Sequence, residues 1–294
     1  MTAARLALPL LALVSLASLS PALGAYDEGR AVRFVRWTAA SYCPAAQLES
    51  WTCKVCAPPT VPLTRVTYLV NTSSTITGVV GLSASTNEVV VAFRGTTGAI
   101  EWLEDFDISQ VAASLSVNAS APCAGCLISK GFSVDTYLTI RAQLLAAVRA
   151  TLAAAAPGAA LVVTGHSLGG ALAEVATFDL LASGLPVAAH ISFGTPRVGN
   201  AAWAAAWTAA AERAMPDAHH RVIHNLDLVP RLPPNIDLGF FHPPREIWYD
   251  EASSSYKLCS ATDGEDPSCS DSDLPLDLAD HDRYLNVSLG GSQC

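Results

Sequence analysis

Hydrophobic residues recur along this chain with two different periods, and the periods distinguish strands from helices. Short β-branched or alternating runs predict strands at 65–70, 75–82, 88–93, 161–163, 187–193, 221–226 and 246–249. Apolar faces and runs of strong helix formers predict helices at 26–41, 133–156, 171–181 and 201–215. One α/β domain over residues 25–294 accounts for this pattern, and it follows a leader at 1–24.

The stretch Leu161–Gly170, LVVTGHSLGG, carries the pattern G-x-S-x-G between a predicted strand and a predicted helix. In a nucleophile elbow the serine occupies a strained turn, and the flanking glycines let the backbone segments approach closely. The turn pushes the hydroxyl out at the end of the sheet. The next amide lies in the first turn of the helix, where negative charge is stabilised. The pattern predicts Ser167 as a nucleophile and the Leu168 amide as an oxyanion donor.

The amino-terminal segment differs from the rest of the chain. Arg5 precedes the apolar run 6–19 and small residues at Ala22 and Gly24, which is typical of a secretory signal peptide cleaved near Gly24. The run is short for a membrane anchor. Removing Arg5 leaves 16 of 17 basic residues against 26 acidic ones, so the net charge changes from −9 to −10. An acidic secreted protein is poorly suited to nucleic acids and anionic surfaces, and better suited to neutral substrates.

Eight cysteines follow the predicted signal peptide, and an even number in a secreted chain predicts four disulfides. Eight cysteines can pair in about 100 ways, so the residues alone leave the pairing open. Cys53 with Cys56 and Cys123 with Cys126 have the C-x-x-C spacing that zinc sites and redox pairs also use. An oxidising compartment favours disulfides at both places. Candidate glycosylation sequons begin at Asn71, Asn118 and Asn286.

The segment 99–108, AIEWLEDFDI, follows the glycine-rich end of the predicted strand 88–93. Its apolar residues recur with helical spacing, and acidic residues occupy the other face. One interpretation is an ordinary surface helix. The other is a mobile cover over the site, because ligands of open α/β sheets bind at the carboxyl ends of strands. The apolar face would present Ile100, Trp102, Leu103 and Phe106.

A serine hydroxyl becomes an effective nucleophile when a base takes its proton and a third group orients that base. In α/β-hydrolases the acid and then the histidine follow the serine along the chain. Asp227 is the predicted acid, because it follows a predicted strand and the prolines after it fix the loop. Of the seven histidines only His242 and His281 come later. We favour His281, since His242 lies in a crowded aromatic and proline context.

The chain resembles the fungal-type class 3 triacylglycerol lipases, a family that also contains feruloyl esterases. The resemblance covers essentially the whole chain after the signal peptide. The motifs that carry it are SYC near the start, FRGT, GHSLGG, FGTPRVGN, NLDLVPRLPP and ADHDRYL near the end. It implies an α/β-hydrolase fold with a central, mostly parallel sheet flanked by helices, a short helical lid and disulfide staples.

The resemblance also implies roles for individual residues. It implies a catalytic triad formed by Ser167, Asp227 and His281. It also implies an oxyanion hole formed by the amides of Thr96 and Leu168. It identifies 99–108 as the lid, with Trp102 as the apolar tip and Asp105 holding the oxyanion residue. The disulfides that it implies are Cys43–Cys294, Cys53–Cys56, Cys123–Cys126 and Cys259–Cys269.

Together these observations predict a secreted serine esterase that acts on triacylglycerols through an acyl-serine intermediate and interfacial opening of the lid. A lid with an apolar face suits a lipid–water interface. A feruloyl or carbohydrate esterase is the alternative, because the lid also carries acidic residues. A non-catalytic lipid-binding protein is a third hypothesis, which the intact triad and Thr96 argue against. The mechanism requires no metal or cofactor, and we expect a monomer without nucleic-acid partners or a transmembrane anchor.

Overall fold

The computed structural model describes residues 26–71, 73, 76–96, 107–115, 117, 123–272 and 276–294. Its strands are β1 Thr64–Val70, β2 Ile76–Ser83, β3 Glu88–Phe93, β4 Gln110–Ala112, β5 Leu127–Ser129, β6 Ala160–His166, β7 Val187–Phe193, β8 His219–His224, β9 Glu246–Tyr249, β10 Tyr256–Leu258, β11 Arg283–Tyr284 and β12 Val287–Ser288. Its helices are α1 Glu28–Ala40, α2 Ala45–Glu49, α3 Leu138–Ala154, α4 Leu168–Ala182, α5 Ala201–Ala214 and α6 Asn235–Leu238. None of these helices has both the length and the apolar character needed to cross a membrane.

Several predicted features fall outside the described residues. They are the signal peptide, the Asn118 sequon and the lid residues Ile100, Trp102, Leu103, Asp105 and Phe106.

The central sheet has eight strands in the order β1-β2-β3-β6-β7-β8-β9-β10. Strands β3, β6, β7, β8 and β9 are parallel neighbours. The outer pairs β1–β2, β2–β3 and β9–β10 are antiparallel. All of β3 is buried, and so is β6 from Leu161 onward, because α1, α3 and α4 pack on this part of the sheet. The prediction of a mostly parallel sheet flanked by helices is confirmed.

The predicted elements are present, and their boundaries shift for local reasons. Helix α4 begins three residues earlier than predicted, because it starts directly after the turn at Ser167. Strand β6 is longer than the predicted 161–163, since its last residues continue to pair with β3 and β7. The strand predicted at 221–226 ends instead at His224, so Asp227 lies in the loop beyond it. The predicted helix 133–156 opens with a π-helical turn, Ser133–Tyr137.

Four disulfides join Cys43 to Cys294, Cys53 to Cys56, Cys123 to Cys126 and Cys259 to Cys269. Both C-x-x-C pairs are therefore closed, and neither offers a thiolate to zinc. The bond from Cys43 to Cys294 links residues separated by 251 positions. In the chain-entropy model, a cross-link over so long a loop contributes about 5 kcal/mol of stability.

Two turns meet at the end of the sheet opposite the elbow. The turn 84–87 precedes β3, and the turn 155–159 precedes β6. The amide of Ala160 donates to the carbonyl of Asn87 at 3.0 Å, and the Asn87 side chain donates to the carbonyl of Pro157 at 3.4 Å. Because β3 and β6 are parallel, their carboxyl ends lie together at the other end of the sheet, where Ser167 follows β6.

Candidate active site

Ser167 occupies the turn between β6 and α4 with φ of 58° and ψ of −130°, a backbone conformation that is strained for any residue with a side chain. A Cβ on Gly165 would overlap the carbonyl of Gly169, so only glycine lets β6 approach the first turn of α4. The strained elbow thus has the form that its sequence pattern predicts. The pattern also predicts an outward hydroxyl, whereas Ser167 is only 1% exposed.

Asp227 and His281 form a buried hydrogen-bonded pair near Ser167. His281 Nδ1 lies 2.8 Å from Oδ2 and 3.1 Å from Oδ1 of Asp227. Because a carboxylate only accepts hydrogen bonds, Nδ1 carries the hydrogen and Nε2 is the basic nitrogen. The ring of His166, the residue before the serine, lies with its centre 4.4 Å from that of the His281 ring. The structure therefore brings the three predicted triad residues together.

Two polar atoms of the predicted triad are buried without a hydrogen-bond partner among the described residues. They are the hydroxyl oxygen of Ser167 and Nε2 of His281. Leaving a buried polar atom unpaired costs about 1–3 kcal/mol, so each such atom calls for an explanation. Other described side chains, Ser192 and His242 among them, also carry one, and what distinguishes this pair is its place beside Asp227. In unliganded enzymes the bond between nucleophile and base is often absent and forms only with substrate. Neither atom is thus held by another partner within the described residues.

Further contacts fix the Asp227 carboxylate. The Val229 amide donates to Oδ1 at 2.9 Å, and the Tyr284 hydroxyl donates to Oδ2. Burial and the adjacent carboxylate raise the pKa of Tyr284 well above its ordinary value, so the hydroxyl stays protonated and donates. Sequence reasoning missed Tyr284. Its position three residues after His281, within the ADHDRYL motif, was the only available signal.

Asp280, which directly precedes His281, connects the loop of His281 to the loop of Asp227. Its Oδ2 accepts from the Asn225 side chain at 2.8 Å and from the Leu226 amide at 3.1 Å. The amide of Asp277 also donates to the carbonyl of Leu226 at 2.8 Å. These bonds place the loop of His281 beside the loop of Asp227, although 54 positions separate the two residues.

His242, the other late histidine, makes different contacts. It is 5% exposed, and its Nε2 donates to the carbonyl of Pro230 at 2.8 Å. Burial and the nearby Arg221 and Arg197 guanidinium groups hold its pKa well below the ordinary value. Glu265 accepts from the backbone amide of His242 at 2.8 Å, but among the described residues no carboxylate accepts from its ring. His242 therefore lacks the partner that a catalytic base needs.

The two predicted oxyanion positions flank the serine. Thr96 lies in the segment 94–96 after β3, and a Cβ on the adjacent Gly95 would be 2.8 Å from Cβ of Ser167. The Thr96 hydroxyl is buried and has no hydrogen-bond partner within the part of the chain that the structure describes. Leu168 is the first residue of α4, so its amide has no acceptor within the helix.

One group of side chains in the described ranges has donor atoms close enough to surround a metal ion. It consists of Glu246, Cys259 and Cys269. Because the two sulfurs are joined in a disulfide, this group lacks the thiolates that bind zinc.

Comparisons with known proteins agree with this fold. A family model described as "Lipase (class 3)" matches residues 90–236. The chain is 33% identical over 224 residues to a secreted mono- and diacylglycerol lipase of Fusarium solani, covering 74% of this chain and 62% of that protein. It is also 33% identical over 223 residues to a secreted mono- and diacylglycerol lipase of Penicillium cyclopium, covering 73% of this chain and 68% of that one.

Among solved structures, a two-residue deletion mutant of the Rhizomucor miehei lipase in complex with its propeptide superimposes with a TM-score of 0.76. The two chains are 27% identical, and the match covers 90% of this chain and 81% of that one. The chain spans slightly less than two thirds of the length of the Fusarium relative. It spans slightly more than two thirds of the length of the Penicillium relative. The family model, the relatives and the shared fold establish that this chain belongs to the class 3 lipase family, the family that its motifs predict.

Proposed function

We propose that this chain is a secreted lipase that hydrolyses carboxylic esters of glycerol, triacylglycerols included, with Ser167, His281 and Asp227 as its catalytic triad. The observation that carries the proposal is the pair of buried, unpartnered atoms, Ser167 Oγ and His281 Nε2, beside a carboxylate that orients the histidine. Secretion is supported by the signal-like leader, by the four disulfides and by relatives that are named secreted lipases.

The reaction begins when the Ser167 hydroxyl attacks the ester carbonyl and His281 Nε2 accepts its proton. Asp227 holds the imidazole through Nδ1 and stabilises the imidazolium that forms. The tetrahedral intermediate collapses to an acyl-serine, and the imidazolium returns the proton to the departing alcohol. Water then attacks the acyl group with His281 again as the base, which releases the fatty acid and restores the serine.

The amides of Thr96 and Leu168 are the proposed donors to the oxyanion. Thr96 adjoins the segment packed against Ser167, and Leu168 begins a helix whose positive end favours developing negative charge. The removal of one such donor typically costs about 3–4 kcal/mol of transition-state stabilisation. The buried Thr96 hydroxyl, which lacks a partner among the described residues, is a third donor available to the same oxygen.

Acylglycerols are the proposed substrate class for two reasons. The matched relatives from Fusarium and Penicillium are named as mono- and diacylglycerol lipases. The described surface also carries exposed aliphatic side chains at Ile108 (39% exposed), Leu238 (43%) and Ile236 (91%). Gln110 donates to the carbonyl of Leu238 at 3.0 Å, so α6 lies next to the segment that follows the predicted lid. Apolar surface in this position suits contact with a lipid droplet.

Replacement of the serine tests the proposed site. Ser167→Ala should lower the rate of tributyrin hydrolysis by about 10⁵-fold or more, because the nucleophile is lost while the fold keeps its contacts. Ser192→Ala is the matched control, since Ser192 is also 1% exposed and its hydroxyl also lacks a partner among the described residues. It should keep nearly full activity. Activity of Ser167→Ala close to that of the unmodified protein would refute the site.

Substrate choice is tested separately, with tributyrin raised through its solubility limit and methyl ferulate assayed in parallel. A rise in rate when droplets appear, with little cleavage of ferulate, is expected for a lipase with an interfacial lid. Saturation below the solubility limit with efficient ferulate cleavage would instead favour a feruloyl esterase. No turnover of either ester would favour the non-catalytic lipid-binding hypothesis.

A further inference from the structure

A continuous chain of buried hydrogen bonds connects the segment beside Ser167 to the backbone of His281. The Gly95 amide donates to the Tyr42 hydroxyl at 2.8 Å. The same hydroxyl lies 2.7 Å from Nδ1 of His166, and Nε2 of His166 lies 2.8 Å from the carbonyl oxygen of His281. The exposure of Tyr42 is 6% and that of His166 is 2%, so water does not compete for these bonds.

The His281 carbonyl fixes the direction of every bond in this chain. A carbonyl only accepts, so Nε2 of His166 carries the hydrogen and Nδ1 is an acceptor. The Tyr42 hydroxyl must then donate to Nδ1, which leaves its oxygen lone pairs for the Gly95 amide. Burial lowers the pKa of His166 well below its ordinary value and raises that of Tyr42, so both groups stay neutral. Each hydrogen bond thus determines the orientation of the next.

Both side chains project from anchored backbone. Tyr42 precedes Cys43, which is bonded to Cys294, and His166 is the last residue of β6. The contact at Gly95 is close, because a Cβ there would lie 2.5 Å from the Tyr42 hydroxyl and 2.8 Å from Cβ of Ser167. The segment that leads into Thr96 therefore rests directly on the tyrosine hydroxyl and on the nucleophile.

We propose that Tyr42 and His166 are positioning residues of the esterase reaction. Tyr42 holds the Gly95–Thr96 segment so that the Thr96 amide faces the oxyanion, and His166 holds the backbone of His281 so that Nε2 faces Ser167. The inference rests on the proposed function of Ser167, Thr96 and His281. Neither positioning residue contacts the reacting atoms. The loss of either one therefore affects stabilisation of the transition state more than binding of the ground state.

Tyr42→Phe tests the proposal, because it removes the hydroxyl and leaves the ring. We expect kcat for a soluble p-nitrophenyl ester to fall by about tenfold or more, since a small displacement of catalytic groups reduces rates to this extent. KM should change by less than about twofold, because ground-state binding is not involved. Tyr68→Phe is the matched control. Its hydroxyl donates to the carbonyl of Ala45 at 2.7 Å in the edge strand β1, and its loss should leave kcat unchanged.

Two measurements separate positioning from a general weakening of the fold. Titration with a p-nitrophenyl alkylphosphonate counts competent serines, so that kcat is expressed per active site. The inhibition constant of an alkylboronic acid, which forms a tetrahedral adduct with the serine, should rise by the same factor by which kcat falls. A Tyr42→Phe protein with unchanged kcat per titrated site and unchanged boronate affinity would overturn the proposal, even if its melting temperature were lower.

A second pair of variants applies if Tyr42→Phe does not fold. His166→Gln keeps one N–H donor and one acceptor, whereas His166→Phe removes both. We expect His166→Gln to retain a several-fold higher kcat than His166→Phe, and equal kcat values would count against the proposal. Ser167→Ala is assayed alongside. If it remains active, the proposed function itself fails. If it is inactive while the Tyr42 and His166 variants match the unmodified enzyme, only the positioning proposal fails.

Discussion

His281 and His242 are both late in the chain and both almost fully buried, yet their rings have different partners. Nδ1 of His281 donates to the carboxylate of Asp227, and its Nε2 is unpaired among the described residues. Nε2 of His242 donates to the Pro230 carbonyl and its Nδ1 is unpaired among the described residues, while Glu265 accepts from its backbone amide and not from the ring. A carboxylate that accepts from one ring nitrogen stabilises the imidazolium that forms when the other takes a proton. The comparison teaches that the partner of the second ring nitrogen, rather than burial or an unpaired nitrogen, separates a histidine suited to act as the base from a structural one.

The largest effect on kcat should come from replacing His281 with asparagine, and the same replacement of His242 serves as the comparison. His281→Asn should reduce kcat by about 10⁵-fold or more, because the base that accepts the proton of Ser167 is lost. His242→Asn should leave kcat within a few-fold of the unmodified enzyme and lower the unfolding free energy by about 1–3 kcal/mol, through loss of a buried hydrogen bond. The measurements are ester hydrolysis per titrated site and denaturant unfolding.

The reverse pattern would invalidate the comparison. If His242→Asn abolished turnover in folded protein while His281→Asn remained active, the assignment of the base would be wrong.

Asp227→Asn should produce the next largest effect. The amide preserves the shape of the side chain but removes the charge that stabilises the imidazolium, so kcat should fall by about 10⁴-fold. Circular dichroism should remain unchanged, because asparagine keeps the volume of the side chain and one oxygen, which accepts from either the Val229 amide or the Tyr284 hydroxyl. Asp277→Asn provides a nearby control on the neighbouring loop, and we expect it to keep its activity. A modest loss in Asp227→Asn, below tenfold, would mean that another group orients His281.

The smallest effect concerns the dependence of stability on pH. Burial lowers the pKa of His219 and His220 to about 4 and that of His190 to about 3, and it holds that of His242 well below its ordinary value. These groups bind protons more readily in the unfolded chain. Their contribution to stability is therefore complete above about pH 6.5 and decreases as the pH falls toward the folded values.

Buried Glu174 acts in the opposite sense, because burial raises its pKa to about 8 and its contribution decreases as the pH rises from about 4.5 to that value. The contribution of one histidine is isolated by comparing the pH dependence of the unfolding free energy in its variant with that of the unmodified protein. His242→Asn should reduce the slope of unfolding free energy against pH below pH 6.5 by up to about 1.4 kcal/mol per pH unit. Identical slopes for the variant and the unmodified protein would show that His242 is not held neutral.

Sequence patterns located the residues whose roles depend on local structure or on chain order. The elbow was predictable because a strand, a strained serine turn and a helix all lie within Leu161–Gly170. Asp227 and His281 followed from the order of the triad and from the motifs that surround them. The start of α4 was predicted too late, since Gly169 and Gly170 are poor helix formers. Glycine is needed there because a Cβ would meet Phe93 and Arg94 at the end of β3 or Thr195 in the loop after β7.

The residues that sequence reasoning missed act through contacts between distant parts of the chain. Tyr42 reaches His166 across 124 positions, and Tyr284 reaches Asp227 across 57. The SYC motif contributed to the family resemblance, but nothing in its spacing indicated where the hydroxyl would point. The short strands β4, β5, β10, β11 and β12 were also not predicted, because strands of two or three residues are too short to show a period.

The turns 84–87 and 155–159 meet at the end of the sheet away from Ser167, and this separation has a practical consequence for immobilising the protein. A cysteine introduced into either turn would be a single free thiol, because all eight cysteines are paired, and it would attach the molecule to a thiol-reactive support by that end. The elbow and the loops of Asp227 and His281 would then face away from the support toward an emulsion. Attachment through α6, with its exposed Ile236, would turn the same loops toward the support and hinder access of lipid droplets.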